Sequence, residues 1–353
     1  SSGSSDDEGS SDESEELEPT LAERVRSWQR AQTSGRRREA AALRHCAGRP
    51  WELSVERPVD LLLGGVKHRI FECIGTGFSG VHHVFRAVEA RTMRVVAVKM
   101  EPTSLPSLST VKGMEMMRRR PEATLLAEGA RQAQLHAAGV RVPEVLFVGE
   151  SDEPLLDTSG TRRRYNAIVM ELLGPSLQDL LSFGGFDFAP ATILELAADM
   201  LEQLRRMHGA GFVHLDLKPA NFAIGRTGAH NSARPRAYLI DFGTACEWRD
   251  EATGEHVPYR SAVDRNRGTA LYASLNAHRQ RELSRRDDVE SLAYIVAHMW
   301  RGTLPWEPPT PLEALQSRDS RWRGVCEAKA ATDPELLFGV VREGDEKEEE
   351  EEE

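Results

Sequence analysis

The chain has 353 residues and a formal net charge of −11, and 40% of its residues are hydrophobic, enough for the core of one large domain or two modest ones. The charge sits at the ends: residues 1–18 carry eight carboxylates and no base, residues 343–353 carry nine carboxylates and one Lys, and setting both aside leaves the middle at +5. Neither a wholly acidic protein nor a nucleic-acid binder with a strong basic face fits that distribution.

Four cysteines, Cys46, Cys73, Cys246 and Cys326, lie far apart, with no CxxC and no Cys/His cluster. Such spacing gives no structural zinc site, and sparse thiols suit the reducing interior of a cell, cytoplasm or nucleus. No apolar run approaches the roughly 20 residues that span a bilayer, so no membrane partner is expected. The chain opens without Met, as a fragment would, and its Ser-rich acidic start is the opposite of a signal or transit peptide.

In chain order, residues 1–20 are of low complexity and nearly free of apolar residues. They bury too little surface to offset the entropy of ordering and are expected to be disordered, as is the acidic run 343–353. Residues 21–45 change sign, rich in Arg and Ala, and predict one or two short helices broken at Ser34-Gly35 within a tail of 1–50. They read either as a solvated linker or as a basic segment that pairs with an acidic tail or a partner.

Globular texture begins near residue 66. Short β-like runs come first, at 68–75, 81–90 and 94–100, then a helical stretch over 122–139, then strands at 144–149 and 166–173. After Gly174-Pro175 the pattern turns helical over 176–185 and 191–211, the second with apolar positions 193, 194, 197, 200, 201 and 204 on one face. A hairpin of 221–225 and 236–241 follows, and helices over 287–301 and about 312–330 close the pattern. A strand-rich third with one helix, then helical two thirds with one hairpin, predicts an α+β fold of two packed lobes, 66–170 and 171–342, and not an alternating βαβ sheet.

Three motifs carry chemistry. Gly75-Thr76-Gly77-Phe78-Ser79-Gly80 fits GxGxxG, a pattern that turns also meet by chance. Ahead of a helix it would be a dinucleotide fingerprint. Here the residues after it read as a strand, which makes it a hairpin lid over phosphates. Val96-Ala97-Val98-Lys99 ends an apolar strand on a Lys. Alone, such a Lys also fits a strand edge from which the ammonium reaches water; otherwise it needs anions. The third motif is His214-Leu215-Asp216-Leu217-Lys218-Pro219-Ala220-Asn221, followed across the hairpin by Asp241-Phe242-Gly243.

Two carboxylates, a Lys and an Asn in that order form a set for phosphoryl transfer, where catalysis is positioning and charge neutralisation. Asp216 would accept the proton of a substrate hydroxyl, and Lys218 would steady the γ-phosphoryl charge. Asn221 and Asp241 offer hard oxygens to Mg2+, and Lys99 would hold the α- and β-phosphates of ATP.

On these residues the sequence resembles the protein kinases, within them the casein kinase 1 group, and most of all its tau-tubulin kinase branch. The resemblance covers about residues 68–307. It rests on MELLGPSLQDL (170–180), HLDLKPANFAIGR (214–226), YLIDFGTA (238–245), RGTALYASLNAHRQRELSRRDDVESLAY (267–294) and GTLPWE (302–307), with Ser274-Leu275-Asn276 matching the group's Ser-x-Asn. It implies a bilobal protein-kinase-like fold over 66–342, Mg-ATP between the lobes, and transfer to Ser or Thr of protein substrates, acidic segments among them. It implies roles too. Glu128 is the ion-pair partner of Lys99, chosen over Glu122 and Glu115 because it lies well inside the predicted helix. Met170 backs the adenine pocket, and Glu171-Leu172-Leu173 is the hinge whose backbone binds the adenine edge. Asp288 braces the catalytic loop from a buried helix, and Thr269 contacts Asp216 and Lys218.

The sequence departs from that pattern in four places. Leu215 stands where the family has an Arg that pairs with an activation-loop phosphate, so no activation through that contact is expected. Leu271 replaces an Arg of the group's anion-binding pocket; weaker recognition of pre-phosphorylated substrates follows, with Arg267, Arg279 or Arg285 as partial substitutes. Gly80 and Lys99 lie further apart than in the family, and placing Val84 rather than His82 at the β-branched position implies a small bulge. After Trp306 the domain is short, so its last one or two helices are expected to be missing or replaced. The retained set Lys99, Glu128, Asp216, Lys218, Asn221 and Asp241 points to an active serine/threonine kinase. The alternative is a pseudokinase, an ATP-binding scaffold of the same fold. Ser10, Ser11 and Ser14, among carboxylates and tethered to a mildly basic domain, leave two readings of the acidic start: a solubilising tail, or a substrate of its own kinase domain.

Overall fold

Alternating burial along Val59–Leu63 (β1), Val66–Thr76 (β2) and His83–Glu89 (β3) starts a sheet with one face turned to a core. The computed structural model describes residues 20–39, 58–76, 82–103, 125–157, 160–184, 188–226, 236–250, 252–259, 268–307 and 318–338. Val95–Pro102 (β4), Val145–Glu150 (β5) and the short pair Leu155–Leu156 (β6) and Arg162–Arg163 (β7) follow, then Tyr165–Glu171 (β8). Six strands form one antiparallel sheet in the order β1-β2-β3-β4-β8-β5. Its core holds Leu61, Ile70, Phe85, Val96, Val98, Met100, Tyr165 and Val169. On the other face lies the helix Leu125–Ala137 (α2), packed against β5 and β8.

The second lobe is helical: Leu177–Gly184 (α3), Pro190–Gly209 (α4), Leu275–His278 (α5), Arg285–Arg301 (α6) and Arg318–Ala331 (α7). Phe212–Val213 (β9) pairs with Cys246–Glu247 (β12), and Phe222–Ile224 (β10) pairs with Ala237–Leu239 (β11) in the hairpin that separates the His214–Asn221 motif from Asp241-Phe242-Gly243. This is the α+β bilobal architecture that the order of elements predicts. Among the described residues, no helix is long and apolar enough to cross a membrane.

Several expectations are corrected. The sheet opens at Val59, ahead of residue 66. The basic segment is one helix, Leu21–Glu39 (α1), unbroken at Ser34-Gly35. Thr20 and Glu23 cap it reciprocally, the Glu23 N–H donating to Thr20 Oγ1 at 3.3 Å and the Thr20 N–H to the Glu23 carboxylate at 2.9 Å. Nor is the helix a solvated linker: Val25 is fully buried in the core of the helical lobe, with Leu21 and Trp28 packed beside it. On α4 the buried stripe is Ile193, Leu196, Met200, Gln203, Leu204 and Met207, while Leu194 and Leu201 face outward. The bulges lie in β2, between Ile70 and Glu72 and between Cys73 and Gly75; the β3–β4 ladder is regular from His83 to Val88. The helix expected after Trp306 is found as α7, followed by the 3-10 turn Pro334–Phe338, and Val325 and Leu337 join the helical core. Residues 1–19 and 339–353, which include both acidic runs and Ser10, Ser11 and Ser14, lie outside the described residues.

Candidate active site

β4 is buried on both faces, and this directs its charged residues. Val96, Val98 and Met100 enter the sheet core, so Ala97, Lys99 and Glu101 project toward α2. Glu101 accepts hydrogen bonds from the Leu125 N–H that starts α2 and from Asn166 Nδ2, both at 3.0 Å, and meets His82 Nε2 at 2.7 Å. Lys99 Nζ donates to the two carboxylate oxygens of Glu128 at 2.7 and 3.0 Å and to Asp241 Oδ1 at 2.8 Å. Gly129 permits that approach of helix to sheet, since a Cβ there would stand 2.7 Å from Val148 Cγ2. Burial alone would depress the Lys99 ammonium, but Asp241 and Glu128 outweigh it and hold the pKa above the ordinary lysine range. The Lys99 charge holds the Asp241 carboxyl well below the usual carboxylate range, with Lys218 adding to the effect.

Asp216 follows β9 in an irregular loop. Thr269 Oγ1 donates to Asp216 Oδ1 at 2.8 Å, and Lys218 Nζ donates to Asp216 Oδ2 at 2.7 Å and to Thr269 Oγ1 at 3.3 Å. Asn221 Nδ2 donates to the Asp216 carbonyl at 2.8 Å, which leaves the amide oxygen as its acceptor. Asp288, fully buried on α6, accepts from the His214 and Leu215 N–H groups at 2.8 Å and from His208 Nε2 at 2.9 Å. Leu215 and Asp241 both sit at positive φ, +67° and +66°. Non-glycine residues take that conformation at a cost, and the bonds to Asp288 hold the first of them. Asp288→Ala strips these donors of their acceptor and is expected to cost about 3–5 kcal/mol of stability, read by denaturant unfolding.

The candidate nucleotide side is apolar. Val84, opposite Lys99 on β3, shares a cluster with Ala97, Met170 and Leu172. Met170 ends the inner part of β8, its sulfur 3.6 Å from Gln132 Nε2. Glu171 and Leu173 are half-buried where the chain passes from one lobe to the other. Gly75 lies in β2 opposite Val84; Gly77, Gly80, Glu115, Glu122 and Arg267 fall outside the described residues. One carboxylate and one amide oxygen, on Asp241 and Asn221, suit a hard cation that brings its remaining ligands as water and phosphate. The residues present therefore fit Mg-ATP.

Other contributors were not singled out by their motifs. Arg131 on α2 donates to the Phe242 carbonyl at 2.8 Å, tying that helix to the Asp-Phe-Gly turn a second time. Thr244 Oγ1 donates to the His214 carbonyl at 2.9 Å. Asp287 explains the Ser-x-Asn: its Oδ1 accepts from Ser274 Oγ at 2.8 Å and Asn276 Nδ2 at 3.0 Å, while its other oxygen caps α6 through the Ser284 N–H. Leu215, in the Arg position, packs with Val213, Ala273, Ala277, Leu283 and Trp322.

The family described as protein kinase domain matches residues 68–334. A curated protein of Schizosaccharomyces pombe, casein kinase I homolog 2, is 32% identical over 280 residues, 79% of this chain and 56% of that protein. The chain thus spans about half the length of the curated relative that it matches.

Proposed function

Because the chain belongs to the protein kinase family, and its sequence is similar to a casein kinase 1 homologue, we propose that it transfers the γ-phosphoryl of Mg-ATP to Ser or Thr of protein substrates. The observation that carries this reading is a pair of charge networks linked through Asp241, whose carboxyl feels both lysines: Lys99 between Glu128 and Asp241, and Asp216 between Lys218 and Thr269. Mg-ATP, when bound, supplies the transferable group and the divalent charge that balances its phosphates. Asn221 and Asp241 are the residues that would hold the metal, and Lys99 is the cation that would meet the α- and β-phosphates. Gly75, Gly77 and Gly80 would cover them, with Met170 behind the adenine ring and the backbone of Glu171 and Leu173 along its edge. Asp216, with Thr269 on one oxygen and Lys218 on the other, is oriented to take a proton from a hydroxyl, and Lys218 places a positive charge beside it. Phosphoamino-acid analysis of a labelled acidic peptide that carries Ser, Thr and Tyr tests the specificity; phosphotyrosine as the product would contradict it.

The Leu215 packing supports independence from loop phosphorylation. Apolar contacts to Ala273 and Trp322 do from within what an Arg–phosphate pair does elsewhere. Phosphatase treatment is expected to leave the rate within about twofold, under ~0.5 kcal/mol in barrier. A large drop would place an anion-binding residue elsewhere on the loop.

We extend the proposal to acidic Ser/Thr segments, the chain's own N-terminal tail among them, and to the tau-tubulin kinase branch as its best likeness. Of the basic residues that such a segment would meet, Arg285 lies 3.7 Å from the Trp248 ring, where its guanidinium is presented by stacking. Deleting residues 1–18 is expected to lower the apparent KM for an acidic peptide at low salt and less at high salt, since a tethered tail competes at roughly millimolar effective concentration. An unchanged KM at both salts, with no phosphate on Ser10, Ser11 or Ser14, contradicts the autophosphorylation reading.

A further inference from the structure

Lys329 is a lysine in the wrong place. It lies on α7, near the end of the described chain, yet it is only 4% exposed. Its Nζ donates to the Ala273 carbonyl at 2.6 Å and to the Ala270 carbonyl at 3.0 Å, and faces the rings of Tyr294 at 4.5 Å and Trp306 at 5.1 Å. Trp306 Nε1 in turn donates to the Leu271 carbonyl at 2.9 Å. Tyr272 between them shares a hydrogen bond with His298 Nδ1 at 2.8 Å. Hence the carbonyls of Ala270, Leu271 and Ala273 are all gripped by side chains from beneath. The same short stretch begins at Gly268, whose φ of +87° only glycine adopts without strain, and at Thr269, which holds Asp216.

Keeping a cation there is costly. Burial pushes the Lys329 ammonium down to about 7, with Glu290 on α6 and Cys326 on its own helix pulling the other way. His278 on α5 feels the same burial, and the Lys329 charge as well, and is pushed down to about 4. Its neutral ring has one N–H for two carbonyls, those of Trp322 at 3.0 Å and Ala270 at 3.1 Å. The Lys329 donor at Ala270 makes up that shortfall. A Met or Leu of the same reach would pack among Tyr294 and Trp306 without desolvating a charge, but would leave the Ala273 carbonyl without this donor.

We propose that Lys329 is a positioning residue for the segment 268–274, holding it against the helical lobe so that Thr269 keeps Asp216 and Lys218 in register and the segment presents a fixed edge to a peptide substrate. This rests on the kinase reading given above. It accounts for two departures together. With Leu215 and Leu271 in place of arginines, the segment is held by a lysine and a tryptophan from the C-terminal side of the lobe, and α7 is thereby part of the site's support.

The test compares Lys329→Met, which keeps length and removes the donors, with Lys329→Gln, which restores a donor without the charge. For the full chain, Lys329→Met is expected to raise the peptide KM about tenfold or more while the ATP KM stays within about twofold, and Lys329→Gln to recover part of the loss. Amide exchange in 268–274 should quicken while the sheet and α4 exchange as in the wild type. A peptide KM and segment exchange equal to wild type would overturn the proposal. So would a parallel rise of both KM values with faster exchange throughout, which is the mark of general destabilisation. The exchange arm requires no phosphoryl transfer, so it decides this proposal even if the kinase reading fails.

Discussion

Asp241→Asn is expected to lower phosphoryl transfer by about 10³-fold or more while leaving the fold intact. The side chain is 43% exposed and its backbone sits at φ +66°. Asn is among the few residues that accept that conformation readily, so the turn keeps its shape. The lost charge is what matters. It removes the one carboxylate of the candidate metal set and leaves Lys99 with Glu128 alone. Single-turnover kinetics across a Mg2+ titration separate the two effects, because weakened metal binding is partly restored by high Mg2+ and a misplaced Lys99 is not. Wild-type turnover in this variant would remove Asp241 from the site.

The second large effect concerns the buried pair. Lys99 and Glu128 have 7% and 4% of their side chains exposed, so removing Lys99 leaves the buried Glu128 carboxylate without its cation, and removing Glu128 leaves Lys99 to Asp241 alone. Breaking such a pair costs about 3–5 kcal/mol. Lys99→Met and Glu128→Ala are each expected to cut kcat/KM by about 10² or more, at a cost near 2.7 kcal/mol in barrier. The double variant is expected to be scarcely worse than either alone, because both remove one interaction. Additive losses, or an inert Glu128→Ala, would mean that α2 orients the site through Arg131 and Phe242 instead.

What was legible in the sequence is what chemistry constrains locally. A lysine ending an apolar strand, and Asp, Lys and Asn at fixed offsets before a hairpin, are readable because the proposed phosphoryl transfer needs those types in one loop. Strands and helices of strong period were readable for the same local reason. The α4 face was misread because Leu194 and Leu201 are as apolar as Ile193 and Leu204. The packing of α6, β9 and β11 against it decides which stripe is covered, and that is a tertiary fact. α1 reads as a basic linker because one buried residue, Val25, docks it, and no pattern of charge announces its partner. Ser274 and Asn276 were matched as a motif without a cause, since the cause is a shared acceptor, Asp287, on a different helix. Lys329 is the extreme case. In a polar helix it reads as one more solvated cation, and its burial is visible only once Tyr294 and Trp306 are folded over it.

One measurement is the most direct test: label transferred from Mg-ATP carrying a γ-phosphate label to an acidic Ser peptide by the purified chain, beside Asp216→Asn and with nucleotide affinity measured for both. The two charge networks predict incorporation by the wild type, a loss of about 10²–10⁴-fold in Asp216→Asn, and similar ATP affinity in the two proteins. A folded wild type that binds nucleotide and transfers no more label than Asp216→Asn would contradict the account and make the chain a scaffold.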